Sequence, residues 1–106
     1  MSITRKGFLH GDLNQANVIV KENGKEIEGL IDWGDVVWSL VVNEVAIAMA
    51  YIGMRPVNKD NPIDSCVAIL EGFCSKFPLT VREISFLRTL IACRVSQSIV
   101  IGLYSI

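Results

Sequence analysis

Apolar residues in the last two thirds of the chain recur three and four positions apart, which is the spacing of one face of an α-helix. The pattern predicts three helices, running from Ser39 or Asn43 to Met54, from Pro62 to Lys76, and from Val81 to about Leu103. The first is apolar almost all round, as buried helices are. Asn61 is the expected N-cap of the second helix, and Thr80 with Glu83 forms a capping box before the third.

Alternating apolar and polar residues before the first helix predict a β-hairpin around Asn23-Gly24, the strongest signal for a two-residue type I′ turn. That turn fixes a register in which Glu22 faces Lys25, Lys21 faces Glu26, Val20 faces Ile27, Val18 faces Gly29 and Asn17 faces Leu30. One face then carries Val18, Val20, Ile27 and Ile31 against the helices, and the other carries Asn17, Ile19, Leu30 and Asp32. Asn17 and Asp32 become diagonal neighbours, roughly 7–8 Å apart at the backbone.

Two stretches outside these elements are predicted to lack regular structure. Residues 1–7 are polar, and we expect the ordered chain to begin at Phe8 with a short strand or extended segment. Residues 33–39 are predicted to form a loop with two tryptophans, Trp33 and Trp38. We expect both to pack beneath the loop, and the alternative is that they form part of a substrate wall.

Two charged residues stand in apolar surroundings, Glu44 in the first helix and Arg94 in the third. An unpaired buried charge is costly, so each needs a partner. We expect them to bind each other or the backbone of a loop, which would tie the last helix to the first. The alternative is that either side chain simply reaches solvent.

Candidate catalytic residues lie at the two ends of the hairpin. Asp12 and Asn17 precede its first strand, and Asp32 follows its second. Carboxylate and amide oxygens suit Mg²⁺, which takes oxygen ligands, keeps several waters and binds substrate phosphates. We therefore expect Asn17 and Asp32 to hold Mg²⁺, with Asp12 approaching the same point from a glycine-containing loop.

The order His-x-Asp-x-x-x-x-Asn, followed by Asp-x-Gly, matches the catalytic and metal loops of the kinase superfamily. The segments His10-Gly-Asp-Leu-Asn14 and Ile31-Asp-Trp-Gly-Asp35 resemble the aminoglycoside phosphotransferase and choline kinase-like family. Within that family the chain is most similar to the hydroxylysine kinases, in which Glu44-Val-Ala-Ile47 and Cys93-Arg-Val-Ser-Gln-Ser98 recur in the same order. The resemblance extends from Phe8 to Tyr104.

This resemblance implies a role for each candidate residue. Asp12 would be the base that accepts the proton of the substrate hydroxyl, and Asn17 and Asp32 would be the Mg²⁺ ligands. His10 would orient the loop, because it stands two residues before the base, and Asp35 would orient the Asp32 loop. The phosphoryl donor would be ATP or GTP, and the acceptor a small hydroxyl-bearing molecule similar to hydroxylysine.

The length of the chain limits this interpretation. With 106 residues it is much shorter than enzymes of the resembled family, so the length predicts a fragment. Residues 8–35 would hold the catalytic and metal loops with the hairpin, and residues 39–106 the helical part of a kinase-like C-terminal lobe. The nucleotide-binding N-terminal lobe would be absent. Hydrophobic residues make up 51% of the chain, so we expect uncovered apolar surface and self-association through it.

Composition excludes several other classes of function. The net charge is −1 with no basic run, so nucleic acid is not an expected partner. The odd number of cysteines, Cys66, Cys74 and Cys93, indicates buried reduced thiols in a cytoplasmic protein. The first residues lack the apolar run of a signal peptide, and charged or amide residues interrupt the most apolar stretches, so we expect no membrane span.

We therefore predict an α+β, mostly α fold: a partial protein-kinase-like C-terminal lobe with a catalytic loop, a β-hairpin and about three helices. The predicted activity of the complete enzyme is Mg²⁺-dependent phosphoryl transfer to a small-molecule hydroxyl. One alternative is a truncated, non-catalytic product that acts as an interaction module, since no G-x-G-x-x-G loop and no phosphate-binding strand lysine are present. A metal-dependent hydrolase is a further alternative, but it leaves the Asp12-to-Asn17 spacing unexplained.

Overall fold

The computed structural model describes residues 5–54 and 61–104. In chain order the elements are β1 (Lys6–Leu9), a 3₁₀ turn (Gln15–Asn17), β2 (Val18–Val20), β3 (Ile27–Leu30), β4 (Val37–Leu40), α1 (Val41–Met54), α2 (Pro62–Lys76) and α3 (Val81–Tyr104). Strand β1 pairs with β4, and β2 pairs with β3, both antiparallel. The predicted class, α+β and mostly helical, is confirmed.

Helix α1 is the centre of the fold, because it packs against both other helices and against β1. Its side chains Val42, Val45 and Ala46 are buried and form one cluster with Leu87 of α3. Burial of a valine or leucine side chain contributes about 1.5–3 kcal/mol. The prediction of a buried first helix is therefore confirmed.

Both predicted helix starts are confirmed as well. The side-chain oxygen of Asn61 accepts a hydrogen bond of 2.9 Å from Ile63 N, and Pro62 occupies the first helical position. Thr80 and Glu83 form the predicted capping box. Thr80 N donates to Glu83 Oε1 at 2.8 Å, and Glu83 N donates to Thr80 Oγ1 at 3.1 Å.

Order begins before Phe8, so the prediction for residues 1–7 is wrong for the part that is described; residues 1–4 lie outside the described residues. The Arg5 carbonyl accepts a hydrogen bond of 3.0 Å from Val41 N. The Arg5 guanidinium forms an ion pair with Glu83, and its Cζ lies 4.5 Å from the centre of the Phe77 ring. These partners are remote in sequence, and the local pattern therefore gave no sign of them.

Glu83 should make the stability of the fold depend on acid pH. The residue is fully buried, and its hydrogen bond with Arg5 holds the pKa of the carboxyl below the ordinary value of 4.5. A carboxyl with a depressed folded-state pKa stabilises the fold above its unfolded pKa, and this contribution is lost as the pH falls through the folded value. We therefore expect the urea midpoint to fall as the pH drops below 4.5.

The matched variants for this test are Glu83→Gln and Glu71→Gln, since Glu71 is exposed on α2. Glu83→Gln should be less stable than the parent at neutral pH and should lose part of the acid dependence. Glu71→Gln should keep the acid dependence of the parent. If the urea midpoints of the parent and of Glu83→Gln fall in parallel across the acid range, Glu83 does not cause the acid dependence of stability.

The hairpin turn is longer than the predicted two-residue loop. Lys21 N donates to Glu26 O at 2.9 Å, and the two side chains form an ion pair of 2.8 Å, so this predicted pair is confirmed. Glu22 to Lys25 form the loop, with Gly24 N donating to Lys21 O at 2.8 Å. A type I′ turn needs positive φ at both central residues, and here Gly24 has positive φ but Asn23 does not.

The predicted register is wrong beyond Val20 and Ile27, which face each other as expected. Glu28 has no partner on β2 and forms a β-bulge, which shifts every later pair by one residue. The resulting pairs are Ile19 with Gly29, Val18 with Leu30 and, through a hydrogen bond of 3.0 Å from Ile31 N to Asn17 O, Asn17 with Ile31. Leu30 and Ile31 have therefore exchanged faces, and the register that made Asn17 and Asp32 diagonal neighbours does not occur.

The predicted loop at residues 33–39 ends in a strand, β4, which the sequence analysis missed. Trp38 on this strand meets the Phe8 ring edge-on at 5.0 Å. Trp33 donates from Nε1 to Leu30 O at 3.0 Å. Both indoles pack on neighbours but stay 50% and 58% exposed, so the prediction that they lie beneath the loop is confirmed only in part.

All three cysteines are free thiols, but they are not all buried as predicted. Cys66 and Cys74 are half-buried, and Cys93 is exposed. Burial raises the pKa of the Cys66 thiol, whose sulfur lies 3.5 Å from Met49 O. Cys66 therefore behaves as a packed, protonated side chain.

Helix α3 is long and apolar enough to cross a membrane when length and composition alone are considered. An 18-residue stretch within Val81–Leu103 has a mean hydropathy of 1.4, and 6% of that stretch is buried. The same helix packs along α1 and carries Arg94, which makes polar contacts described below. The expectation that the protein spans no membrane stays a prediction.

Candidate functional site

The loop of residues 10–14, called the His10 loop below, connects β1 to the 3₁₀ turn and is held by α1. His10 N donates to Glu44 Oε2 at 2.5 Å, and Gly11 N donates to Glu44 Oε1 at 3.1 Å. Hydrogen bonds to an ionised carboxylate are about twice as strong as neutral ones. The prediction that Glu44 finds its partner in loop backbone is confirmed.

Arg94 reaches the same loop from α3. Its Nη2 atom lies 3.3 Å from Asp12 Oδ1, 3.5 Å from Gly11 O and 3.0 Å from Tyr51 Oη. The side chains of Arg94 and Asp12 are each only 21% exposed, so water screens this ion pair less than it would an exposed pair. The loop-backbone alternative predicted for Arg94 is therefore confirmed, and Asp12 is an additional partner.

His10 connects the loop to the segment that leads to Asp32. Its Nδ1 accepts a hydrogen bond of 3.2 Å from Asp12 N, so the ring proton lies on Nε2 and is donated to Ile31 O at 2.8 Å. The imidazole is 3% exposed, and its centre lies 4.6 Å from the centre of a Trp33 ring. This geometry suits the orienting role predicted for His10.

Asn17 is buried beside Asp12. Its Nδ2 donates to Asp12 O at 2.9 Å and has a longer contact of 3.5 Å with Asp12 Oδ2. The amide nitrogen therefore faces Asp12, and Oδ1 of Asn17 makes no hydrogen bond within residues 5–54 and 61–104. An amide oxygen in this state can bind a cation.

Asp32 has a φ of +59°, and no other non-glycine residue of the described part has a positive φ. Aspartate tolerates this conformation better than most residues, but it still costs energy and is concentrated at functional sites. Ile31, one residue earlier, pairs with Asn17 and accepts from His10. The two predicted metal ligands thus stand at the end of the same hairpin.

Gly11 and Asp35 bring the two loops into direct contact. Gly11 has a φ of +88°, and a Cβ atom there would lie 2.3 Å from the Asp35 carbonyl oxygen. Only glycine fits this position. The Asp35 side chain is exposed and makes no hydrogen bond to another described residue. The orienting role of Asp35 stays a prediction.

Tyr51 was not among the predicted site residues. Its hydroxyl binds Arg94, and its ring centre lies 5.4 Å from the Arg94 Cζ. The signal was its polar group in a mostly apolar helix, because a buried tyrosine hydroxyl usually needs a partner. It lies in α1 two turns after Glu44, so one helix provides a partner for Arg94 and a partner for the His10 loop.

The described residues contain no cluster of three or more His, Cys, Asp or Glu side chains that could hold a metal ion. A site built from Asn17 Oδ1 and the Asp32 carboxylate would need water and phosphate oxygens to complete its shell, which is typical of Mg²⁺ bound with a nucleotide. The arrangement therefore suits chemistry in which the substrate brings its own phosphates.

Comparison with known proteins shows that the chain is similar to phosphotransferases. Residues 4–62 match the phosphotransferase enzyme family. The chain is 37% identical to hydroxylysine kinase of Mus musculus over 112 residues, which cover 99% of this chain and 29% of that protein. It is 32% identical to hydroxylysine kinase of Xenopus laevis, covering 96% and 29%, and 30% identical to that of Danio rerio, covering 100% and 30%. The chain thus spans less than a third of these relatives, and no solved structure matches it.

Proposed function

Because the chain belongs to the phosphotransferase enzyme family, we propose that it supplies the acceptor side of phosphoryl transfer from a nucleoside triphosphate to the hydroxyl of a small, hydroxylysine-like molecule. The observation that carries the proposal is the anchoring of Asp12. Four side chains from three separate parts of the chain, His10, Asn17, Glu44 and Arg94, fix its loop or its carboxylate. A catalytic base needs such fixed placement.

Asp12 is the proposed base. Its Oδ1 is bound to Arg94, whereas Oδ2 has only the long contact with Asn17. Oδ2 can therefore accept the proton of the acceptor hydroxyl as that oxygen attacks the γ-phosphorus. His10 holds the backbone of Asp12 through the Nδ1 contact and acts as an orienting residue.

Asn17 and Asp32 are the proposed Mg²⁺ ligands, through an amide oxygen and a carboxylate. Mg²⁺, when bound, neutralises charge on the transferred phosphates. Asp32 has a left-handed backbone two residues after the end of β3, and the hydrogen bond between Asn17 and Asp12 keeps the base beside the proposed metal ligand.

The proposal can be tested in a chimera in which this chain replaces the stretch of mouse hydroxylysine kinase that it matches. We expect the chimera to transfer the labelled γ-phosphoryl group of ATP or GTP to hydroxylysine when Mg²⁺ is present. The 106-residue chain alone should show no measurable transfer, because positioning of the triphosphate requires a nucleotide-binding part. A folded chimera that binds nucleotide but phosphorylates no hydroxyl-bearing acceptor would refute the proposed function.

Asp32→Ala should weaken binding of the Mg²⁺–nucleotide complex to the chimera more than Asn17→Ala does. A carboxylate contributes a full charge to the cation, and an amide contributes only a dipole. Calorimetric titration with a non-hydrolysable nucleotide, with and without Mg²⁺, measures both variants. Equal affinities with and without Mg²⁺ in the parent, or a larger loss for Asn17→Ala, would contradict these metal roles.

A second candidate function is self-association, favoured by large exposed apolar side chains on the β1–β4 ribbon. Phe8 is 80% exposed and Trp38 is 58% exposed, and the two rings contact each other on that surface. Such a patch commonly marks an interaction site. Light scattering of the purified chain should then report a mass above that of the monomer, and the double variant Phe8→Ser, Trp38→Ser should restore the monomer mass.

A further inference from the structure

A cavity of about 620 Å³ opens next to Gly11, the residue before the proposed base, between the His10 loop, α1 and α3. This volume falls in the range of small-molecule sites. Its lining mixes apolar side chains with the polar residues Asp35, Asn43, Tyr51, Arg94, Gln97 and Ser98. Arg94 connects the cavity to the proposed base, because it lines the cavity and its Nη2 lies 3.3 Å from Asp12 Oδ1.

The charges of the cavity are arranged around Gly11. Arg94 Nη2 lies 3.5 Å from Gly11 O. The Asp35 Cβ atom would lie 3.3 Å from a Cβ built on Gly11. The two side chains form no ion pair with each other within the described ranges, although both line the same cavity. A positive and a negative group therefore both lie near one residue of the cavity wall.

Both groups have unused capacity for a ligand. Nη2 of Arg94 makes all the hydrogen bonds of that guanidinium within the described part, so Nη1 has no partner there. A ligand carboxylate could accept from Nη1 without displacing the contacts of Nη2. The Asp35 carboxylate likewise has no hydrogen-bonding partner among the described residues. The cavity therefore presents one cationic and one anionic side chain, and each can bind a ligand group of opposite charge.

We propose that this cavity binds the amino-acid zwitterion of the acceptor, with Arg94 holding the carboxylate and Asp35 holding an ammonium group. The inference rests on the proposed function and deepens it by naming the residues that select an amino acid. Arg94 then contacts both the base and the acceptor, so that binding of the carboxylate positions the acceptor chain against Asp12. Gln97, Ser98 and Asn43 supply neutral hydrogen-bonding groups on the remaining wall.

The sharpest test compares ligands and variants in one cycle by calorimetric titration of the full 106-residue chain. The probes are hydroxylysine, the diamino alcohol that lacks its carboxylate, and the amino hydroxy acid that lacks its α-ammonium group. We expect removal of the carboxylate to weaken binding about tenfold or more in the parent and to have little further effect in Arg94→Gln. Asp35→Asn should weaken binding of hydroxylysine by a similar factor.

Matched controls are Arg88→Gln on α3 and Asp64→Asn on α2, which change the same charges at exposed positions away from this cavity. Both should bind hydroxylysine like the parent. The Asp35 side chain makes no hydrogen bond or ion pair with another residue of the described ranges, so Asp35→Asn stays informative if Arg94→Gln does not fold. Equal affinity for hydroxylysine and the diamino alcohol in the parent, or no saturable binding of hydroxylysine, would overturn the inference.

The outcome is separable from that of the proposed function, because the titration involves neither nucleotide nor transfer. A chimera that phosphorylates hydroxylysine and the diamino alcohol equally well would refute the zwitterion site and leave the phosphotransferase proposal standing. If the chain binds hydroxylysine as expected and the folded chimera transfers no phosphoryl group, the phosphotransferase proposal is refuted and the zwitterion site stands.

Discussion

Asp12→Asn should lower the rate of phosphoryl transfer in the chimera by a factor of about 10²–10⁴. The substitution keeps the size of the side chain and removes the group that accepts the proton of the acceptor hydroxyl. Nucleotide affinity should change little, because Asp12 acts on the acceptor and not on the phosphates. Single-turnover rates at saturating nucleotide, together with nucleotide titrations, measure the two effects separately.

Asp64→Asn is the matched control, since it makes the same chemical change at an exposed position of α2. It should keep the parental rate. The rate of the Asp12→Asn chimera is decisive only if its thermal unfolding resembles that of the parent, because loss of the Arg94 ion pair also affects stability. A folded Asp12→Asn chimera with a near-parental rate would remove Asp12 from the mechanism.

Gly11→Ala should lower the free energy of unfolding by about 3 kcal/mol, near the upper end of ordinary single substitutions. Two effects add at this position. A φ of +88° is strained for any residue with a Cβ atom, and the new atom would lie 2.3 Å from the Asp35 carbonyl oxygen. The backbone of the 32–35 loop would have to move away from the His10 loop.

Gly24→Ala separates these effects, because Gly24 has a φ of +67° and no atom within 4 Å of a built Cβ. It should cost only about 1 kcal/mol, the energy of the left-handed conformation alone. Urea unfolding of the two variants and the parent measures the difference. Equal losses in both variants would show that the contact between Gly11 and Asp35 does not constrain the two loops.

Local signals predicted the helical part of the fold well. The ends of α2, its Asn61 cap and the Thr80–Glu83 capping box follow from hydrogen bonds between residues two or three positions apart, which the sequence displays directly. Strand β4 was not predicted, because its four residues lie next to an apolar helix and are too few to show a clear alternation of apolar and polar positions. Its pairing partner, β1, lies about thirty residues earlier in the chain.

The hairpin shows why register is harder to predict than strand position. The turn rule assumes that every residue of one strand has a partner on the other, and Glu28 breaks this assumption. The bulge displaced the predicted faces of Leu30 and Ile31 without altering the Lys21–Glu26 pair next to the turn.

The candidate site was predicted in part from the cost of buried charge. That argument required partners for Glu44 and Arg94, and the structure provides them at the His10 loop. It could not identify the three loop residues involved, His10, Gly11 and Asp12, or reveal Tyr51, because these contacts depend on how α1 and α3 cross. The catalytic and metal roles of Asp12, Asn17 and Asp32 remain predictions.

The contact between Asp12 and Arg94 joins residues 82 positions apart, whereas His10 and Glu44 are 34 positions apart. Closing the longer loop costs only about 0.8 kcal/mol more chain entropy than closing the shorter one. Synthesis, however, proceeds at about 5–20 residues per second, so Arg94 follows Asp12 after roughly 4–16 s. During translation the carboxylate of Asp12 therefore exists first without its cation. The site is complete only when nearly the whole segment has left the ribosome.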